Sequence, residues 1–321
     1  MAHLLPDTRF DFLPDDGSMP GYATYQESRT MASVPTRVRE DQHEGAFERL
    51  YDLRFDASYG VHWAVLKPTS PKTFTPTLVS ALRHVQMEVE ARVRHELAAG
   101  KADRLRYQVF ASRIPGVFSL GGDLALFRSM IRTRNRDGLL AYARDCIDLV
   151  YTNAVNYKLP VTTISLIQGQ ALGGGFEAAL AANVVIAERH CKMGLPEVMF
   201  NMFPGMGAFQ LLTRRLSPIE AEKLILSGRT YTAEELHDMG LVDVLAESGE
   251  GEAAVWSYIK SNHRQCHAHQ GLRNAIQAAS PLDYGSLISI TEAWVEQAMG
   301  LADKDLEVMD YLIRAQHKLN A

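Results

Sequence analysis

The chain predicts an α/β fold followed by a helical C-terminal region, and three observations carry that reading. Short apolar runs of strand length alternate with longer stretches of helical spacing up to about Leu245. Beyond that point the spacing is almost wholly helical. Glycine-rich turns stand where a strand should pass into a helix, the kind of join on which layered α/β architectures depend.

Taken in order, residues 1–45 carry scattered charge, Pro14, Pro20 and Pro35, and no sustained period. They read as a loosely ordered leader or as an arm packed on a neighbour. Strands are expected over 50–55 and 61–66, joined at Tyr59-Gly60. After Pro68, Pro71 and Pro76, helical spacing covers 77–99 and stops at Gly100. A strand over 107–112 closes at Pro115-Gly116. The stretch FSLGGD then turns into a helix over 124–133, and a second helix covers 139–157. A buried strand follows over 161–167, a helix over 176–182, a strand over 184–187 and a helix over 208–216. From Pro218 onward the pattern is helical, with 241–245 its one strand-like run. The expected organisation is an arm (1–45), an α/β core (46–245) and a helical region (246–321), with no fixed-period repeat.

Bulk properties exclude several classes. The 321 residues can bury a large core, and 46% hydrophobic with 22% charged residues is ordinary globular composition. A net charge of -5 argues against general nucleic-acid binding, which needs a basic face. Cys146, Cys191 and Cys266 form neither a disulfide framework nor a CxxC pair, which favours a reducing compartment. The first residues lack the basic and apolar regions of a signal peptide. No run approaches the ~20 apolar residues that span a bilayer. The expected location is the cytoplasm.

The chemistry is concentrated in residues 168–212. Gly173-Gly174-Gly175 follows a strand and opens an alanine-rich helix. Three missing Cβ atoms let a ligand approach the backbone N–H groups, although a tight strand-to-helix turn would use the same residues. Gly121-Gly122-Asp123 is a second glycine turn, with Asp123 suited to capping the next helix. One N–H from each turn, aimed at one oxygen, would form an oxyanion hole. Glu177 could simply complement a helix dipole. Its neighbours Ala178 to Ala182 are all apolar, however, so its carboxyl is expected to be buried and its pKa raised. Glu197 follows a Gly-Leu-Pro stop and fits a helix first turn. Two carboxylates beside two glycine turns describe a site that polarises a carbonyl and moves protons next to it.

Other motifs carry less. Gly205-Met206-Gly207 begins like a dinucleotide fingerprint, but Gln210 stands where its third glycine should be. Ser119 is not in a nucleophile elbow. His263, Cys266, His267 and His269 have metal-like chemistry in surroundings that fit a solvated helix. Arg128, Arg132, Arg134 and Arg136 make either a solvated face or a contact for an acidic or phosphate-bearing carrier. Leu126, Phe127 and Met130 after one turn, and Met199, Phe200, Met202 and Phe203 after Glu197, fit either an apolar tunnel or plain core.

With ALGGGFE and GLPE in place, the chain resembles the crotonase (enoyl-CoA hydratase/isomerase) superfamily from about Tyr51 to the C-terminus. Within it, FSLGGDLALF, IQGQALGGGFEAAL, KMGLPEVMFNMFPGMGA and VHWAVLKP before TFTPTLV are most similar to the diffusible-signal-factor synthases. The resemblance implies a spiral of ββα units with C-terminal helices, assembled as homo-trimers or hexamers. It implies an oxyanion hole from the N–H groups of Gly122 and Gly174, and no metal or other cofactor. It further implies dehydration of a 3-hydroxyacyl thioester, on acyl-carrier protein or CoA, followed by hydrolysis to a cis-2-unsaturated fatty acid that serves as a quorum-sensing signal. Glu197 would be the base at C2, and Glu177 would protonate the departing 3-hydroxyl. Leu126, Phe127, Met130, Met199, Met202, Trp294 and Leu312 would line the acyl pocket. A sensor-kinase receiver domain is the implied protein partner. An enoyl-CoA hydratase of fatty-acid metabolism and a regulatory binding protein are the alternatives.

Overall fold

A computed structural model describes residues 47–101 and 104–318; the expected arm over 1–45 lies outside the described residues. Strand β1 (Tyr51–Asp56) pairs antiparallel with β2 (Val61–Leu66), Tyr51 opposite Leu66, through a turn at Gly60. Helix α1 (Pro76–Ala98) begins with proline at its first position, and the Thr75 side chain accepts from the Leu78 N–H, so it starts with one orphan donor satisfied. Then come β3 (Tyr107–Ser112), β4 (Val117–Ser119), α2 (Leu124–Arg132) and α3 (Arg136–Ala154). They are followed by β5 (Thr162–Ile167), β6 (Gln170–Leu172), α4 (Gly174–Leu180), β7 (Val184–Glu188) and β8 (Lys192–Gly194). A 3₁₀ turn at Glu197–Phe200 leads to α5 (Ala208–Leu212), α6 (Pro218–Ser227), β9 (Thr230–Thr232), α7 (Ala233–Asp238) and β10 (Val244–Ala246). Four helices follow: α8 (Gly251–Asn262), α9 (Cys266–Ala279), α10 (Tyr284–Met299) and α11 (Asp303–Lys318).

Two sheets organise these elements. One has the order β1-β2-β3-β5-β7-β10, the other β4-β6-β8-β9. The pairs β3-β4, β5-β6 and β7-β8 each put a longer strand in the first sheet and a three-residue strand in the second, and then a helical segment follows. That is the spiral of ββα units the resemblance implies. Strands β2 and β5 are buried at every position, as expected where both sheet faces are covered. Val255 and Ile259 of α8 pack with Trp63, Val109 and Ile164 in one cluster, while α1 and α3 contribute to another.

The second sheet is where sequence reading and structure part. Strands β4, β6, β8 and β9 were not expected. At three residues each they span about 10 Å, too short for an alternating pattern to show. The helix expected over 139–157 ends at Ala154, because Asn156, Tyr157 and Lys158 adopt left-handed φ of 55°, 58° and 52°. The helix expected over 208–216 closes at Leu212. Of the run 241–245 only Val244 and Leu245 form strand, which continues to Ala246, since the Leu241 and Val242 N–H groups both donate to the Leu236 carbonyl and finish α7.

Candidate active site

The small sheet brings the two glycine turns together. Strand β4 pairs with β6, Val117 opposite Gln170, so the turns that follow them emerge side by side. Gly121 has φ of +85°, and a Cβ there would lie 2.6 Å from the Leu172 carbonyl oxygen and 2.9 Å from the Gly174 nitrogen. A Cβ on Gly174 would lie 3.6 Å from the Gly122 nitrogen. Only glycine permits so close an approach with the φ that Gly121 adopts. Among the described residues, neither the Gly122 nor the Gly174 N–H donates to a protein acceptor. Two backbone donors therefore stand together unspent, one of them in the first turn of α4.

Glu177 is held by the next turn of chain. Only 1% of it is exposed, and its Oε1 accepts from the Met206 N–H (2.8 Å) and the Ala208 N–H (2.9 Å). Burial pushes its pKa well above the ordinary carboxylate range, and the nearby Glu197 charge pushes it further, against those two hydrogen bonds. Glu197 begins the 3₁₀ turn after Pro196. A Cβ on Gly173, where φ is +53°, would fall 2.5 Å from Glu197 Oε1, so this glycine makes room for the carboxyl. Glu197 Oε2 is buried and has no hydrogen-bond partner among the described residues. Burial raises the Glu197 pKa to about 7.

Gly122, Gly174, Glu177 and Glu197 all line one cavity of about 140 Å³. Of the apolar residues expected to line it, Phe127, Trp294 and Leu312 do so, as does Phe200. The Phe127 ring meets Trp294 edge-on at 5.3 Å and Tyr142 at 5.5 Å. Gly205 is required beneath Trp294, since a Cβ there would sit 2.6 Å from the indole ring.

Four other expected lining residues lie elsewhere. Met199 is 54% exposed, because the 3₁₀ turn directs it outward when Glu197 points in. Met202 is buried in the core cluster rather than in the cavity wall. Leu126 and Met130 fall off the buried stripe of α2, which is Leu124, Phe127 and Ile131 at helical spacing, and only pack against its flank. In their place the cavity takes Tyr142, Ala143 and Cys146 from α3, Met206, and Gln316 of α11, whose Nε2 donates to the Leu120 carbonyl at 3.2 Å. The spacing of Tyr142 and Cys146 marks a buried face of α3 but cannot say that part of it borders a cavity.

The remaining motifs find structural uses. Ser119 Oγ accepts from the Gly121 N–H at 3.2 Å and steadies the turn. Among the described residues no group of three or more His, Cys, Asp or Glu side chains is placed to hold a metal ion. Three of the four clustered arginines hold the C-terminal helices: Arg128 pairs with Asp310, Arg136 with Glu296, and Arg134 Nη1 donates to the Met299 carbonyl. No helix among the described residues is long and apolar enough to cross a membrane.

The enoyl-CoA hydratase/isomerase family model matches residues 92–279, more than half of the chain. The chain belongs to this family. A probable mitochondrial enoyl-CoA hydratase 2 of Arabidopsis thaliana is 29% identical over 289 residues, covering 87% of this chain and 85% of its own length. The mitochondrial methylglutaconyl-CoA hydratase of Mus musculus is 35% identical over 156 residues, so that match spans about half (48%) of either chain. Among solved structures, human mitochondrial delta3-delta2-enoyl-CoA isomerase superposes with a TM-score of 0.66 at 18% identity, covering 84% of this chain and 99% of its own, a likeness of fold. The hydratase/isomerase segment contains both glycine turns and both glutamates. Trp294, Leu312 and Gln316, which close one side of the cavity, lie beyond its end.

Proposed function

We propose that this chain adds water to, or removes it from, the C2–C3 bond of an acyl thioester, as an enoyl-CoA hydratase does. The observation that carries the reading is the convergence of two buried carboxyls and two unspent N–H groups on one apolar cavity. The N–H groups of Gly122 and Gly174 receive the thioester oxygen as it gains charge in the enolate. In hydration, Glu177 takes a proton from the water whose oxygen bonds to C3, and Glu197 delivers a proton to C2; dehydration runs the same transfers backwards. Like charges in a dry site disfavour double ionisation, so the pair retains one proton near neutral pH. That is the protonation state hydration needs.

The test is hydration of a trans-2-enoyl-CoA, followed by loss of the conjugated absorbance. Glu177→Gln and Glu197→Gln should each keep the fold and lower turnover roughly 10²–10⁴-fold, the usual contribution of a positioned acid or base. Full turnover in either variant would sink the two-carboxyl mechanism. Because Glu197 titrates near 7, hydration kcat/KM should fall as pH rises above that value and the shared proton is lost.

A finer reading follows the signal-synthase resemblance: dehydration of a 3-hydroxyacyl-carrier-protein thioester, then hydrolysis to the free cis-2 acid. The partnerless Glu197 Oε2 favours it, since a carboxylate oxygen with no protein donor is free to activate a water against the thioester carbonyl. Mass spectrometry of products from 3-hydroxyacyl-carrier protein decides: free cis acid supports release, whereas a reversibly formed enoyl thioester alone refutes it. The same resemblance carries assembly as a homo-trimer or hexamer, which light scattering measures, and a sensor-kinase receiver domain as partner, which a pull-down with the doubly substituted glutamate variant tests.

A further inference from the structure

The face of α3 that borders the catalytic cavity continues past it. Tyr142, Ala143 and Cys146 line that cavity, and Cys146, Leu149, Val150 and Asn153 line a second internal one of about 50 Å³. The second cavity lies between β2, β3 and β5 on one side and α1 and α3 on the other, with Ala64 and Val85 among its walls. Cys146 and Met206 line both cavities. From Tyr142 to Asn153 the helix axis advances about 16 Å. At roughly 1.2 Å per bond of extended chain, a chain running the whole length of this face would have on the order of a dozen carbons.

The chemistry of the second cavity suits hydrocarbon. Its bulk is aliphatic and aromatic, and four of its polar members, Gln86, Gln108, Asn153 and Thr163, already have partners. Gln86 Nε2 donates to the Leu149 carbonyl (2.9 Å) and to Asn153 Oδ1 (3.0 Å), and Gln108 Oε1 bonds His62 Nδ1 (2.6 Å). Apart from the Tyr157 and Ser165 hydroxyls, the rest of the wall offers hydrocarbon. Met206 is unbranched and adaptable. Its backbone N–H is tied to Glu177 Oε1, and its sulfur lies 2.6 Å from where a Gly174 Cβ would be. The backbone anchors the catalytic carboxyl while the side chain can change rotamer.

We propose that the Met206 side chain, against Cys146, gates a passage from the catalytic cavity into this second cavity, which receives the distal part of a medium-length acyl chain. The proposal rests on the acyl-thioester reading. It makes Met206 a specificity-determining residue and places the end of the chain beneath the large sheet, away from Trp294 and the C-terminal helices.

The experiment is calorimetric binding of a saturated acyl-CoA series of increasing length, run alongside hydration of the matching trans-2-enoyl-CoA series. Wild-type affinity should rise roughly fourfold per added methylene, equivalent to about 0.8 kcal/mol, through medium lengths. Ala64→Leu and Val85→Phe, which fill the second cavity from different elements, should each end that rise at a shorter chain. Met206→Ala should admit branched chains that the wild type excludes. If the rise ends at the same length in wild type and in both filling variants, or if Trp294→Ala alone moves it, the tail runs toward the C-terminal helices and the proposal is overturned. Persistent hydration with that result leaves the hydratase reading standing. A length dependence that responds to the filling variants, with no hydration of any enoyl-CoA, upholds the chamber and overturns the hydratase reading.

Discussion

Replacing Glu197 with glutamine should stabilise the protein above neutral pH relative to its behaviour in mild acid. Burial moves this carboxyl from an ordinary 4.5 up to about 7. Between those values the folded chain holds a proton that the unfolded chain has released, so wild-type stability falls as pH rises. At 1.36 kcal/mol per pH unit, the loss reaches about 3 kcal/mol once the pH exceeds the folded value. Glutamine cannot ionise and escapes it. Removing the charge also relieves Glu177, whose own pKa the Glu197 carboxylate raises, so the gain should be at least that large. A buried amide without an acceptor costs about 1–3 kcal/mol, but equally at every pH. The informative quantity is therefore the slope. Urea unfolding of wild type and variant from about pH 5 to about pH 9 measures it. The stability difference should shift by about 3 kcal/mol in the variant's favour across that range, most of it before pH 7. A constant difference would mean that Glu197 titrates like a wet carboxylate, and the argument for a dry acid–base pair would fail.

Three further substitutions probe other parts of the structure. Gly173→Ala combines a left-handed backbone with a Cβ 2.5 Å from Glu197 Oε1. It should destabilise by about 1–3 kcal/mol and lower turnover at least tenfold, readable by unfolding and by hydration kinetics on the folded fraction; unchanged turnover would show that Gly173 does not position Glu197. Glu188 is buried and accepts from Gln168 Nε2 and from the Gly249 and Gly251 N–H groups at the start of α8. Glu188→Gln leaves one of those donors facing an amide, so the melting midpoint should fall by the equivalent of about 3 kcal/mol, with kcat/KM of the folded enzyme unaffected. Arg136→Ala removes an ion pair to Glu296 in which both side chains are well exposed, and should change stability by less than about 1 kcal/mol.

The longer elements were legible because each shows its own period. Strands β2 and β3 have the expected bounds, and α1 differs from expectation by one residue at each end. The small sheet was not legible, since three residues carry no alternation, yet it is that sheet which sets Gly121 against Gly174. The glycine triplet, Glu177 and Glu197 could be singled out from their neighbours along the chain. The acyl wall was read less well. Phe127, Trp294 and Leu312 line the cavity, whereas Met199 faces solvent and Met202 the core. Apolar character is common to cavity walls and to core, so composition cannot separate them.

The sequence by itself determined where turns occur, which of them need glycine, and which carboxylates stand beside them. These follow from backbone sterics and spacing, properties of residues a few positions apart. Only the tertiary structure decided that two glycines some fifty residues apart border one space, and that Glu197 Oε2 is dry and unpartnered. It also decided that Cys146 and Met206 border two cavities. Those properties depend on which distant atoms exclude water from a given group, and the chain settles that only by folding.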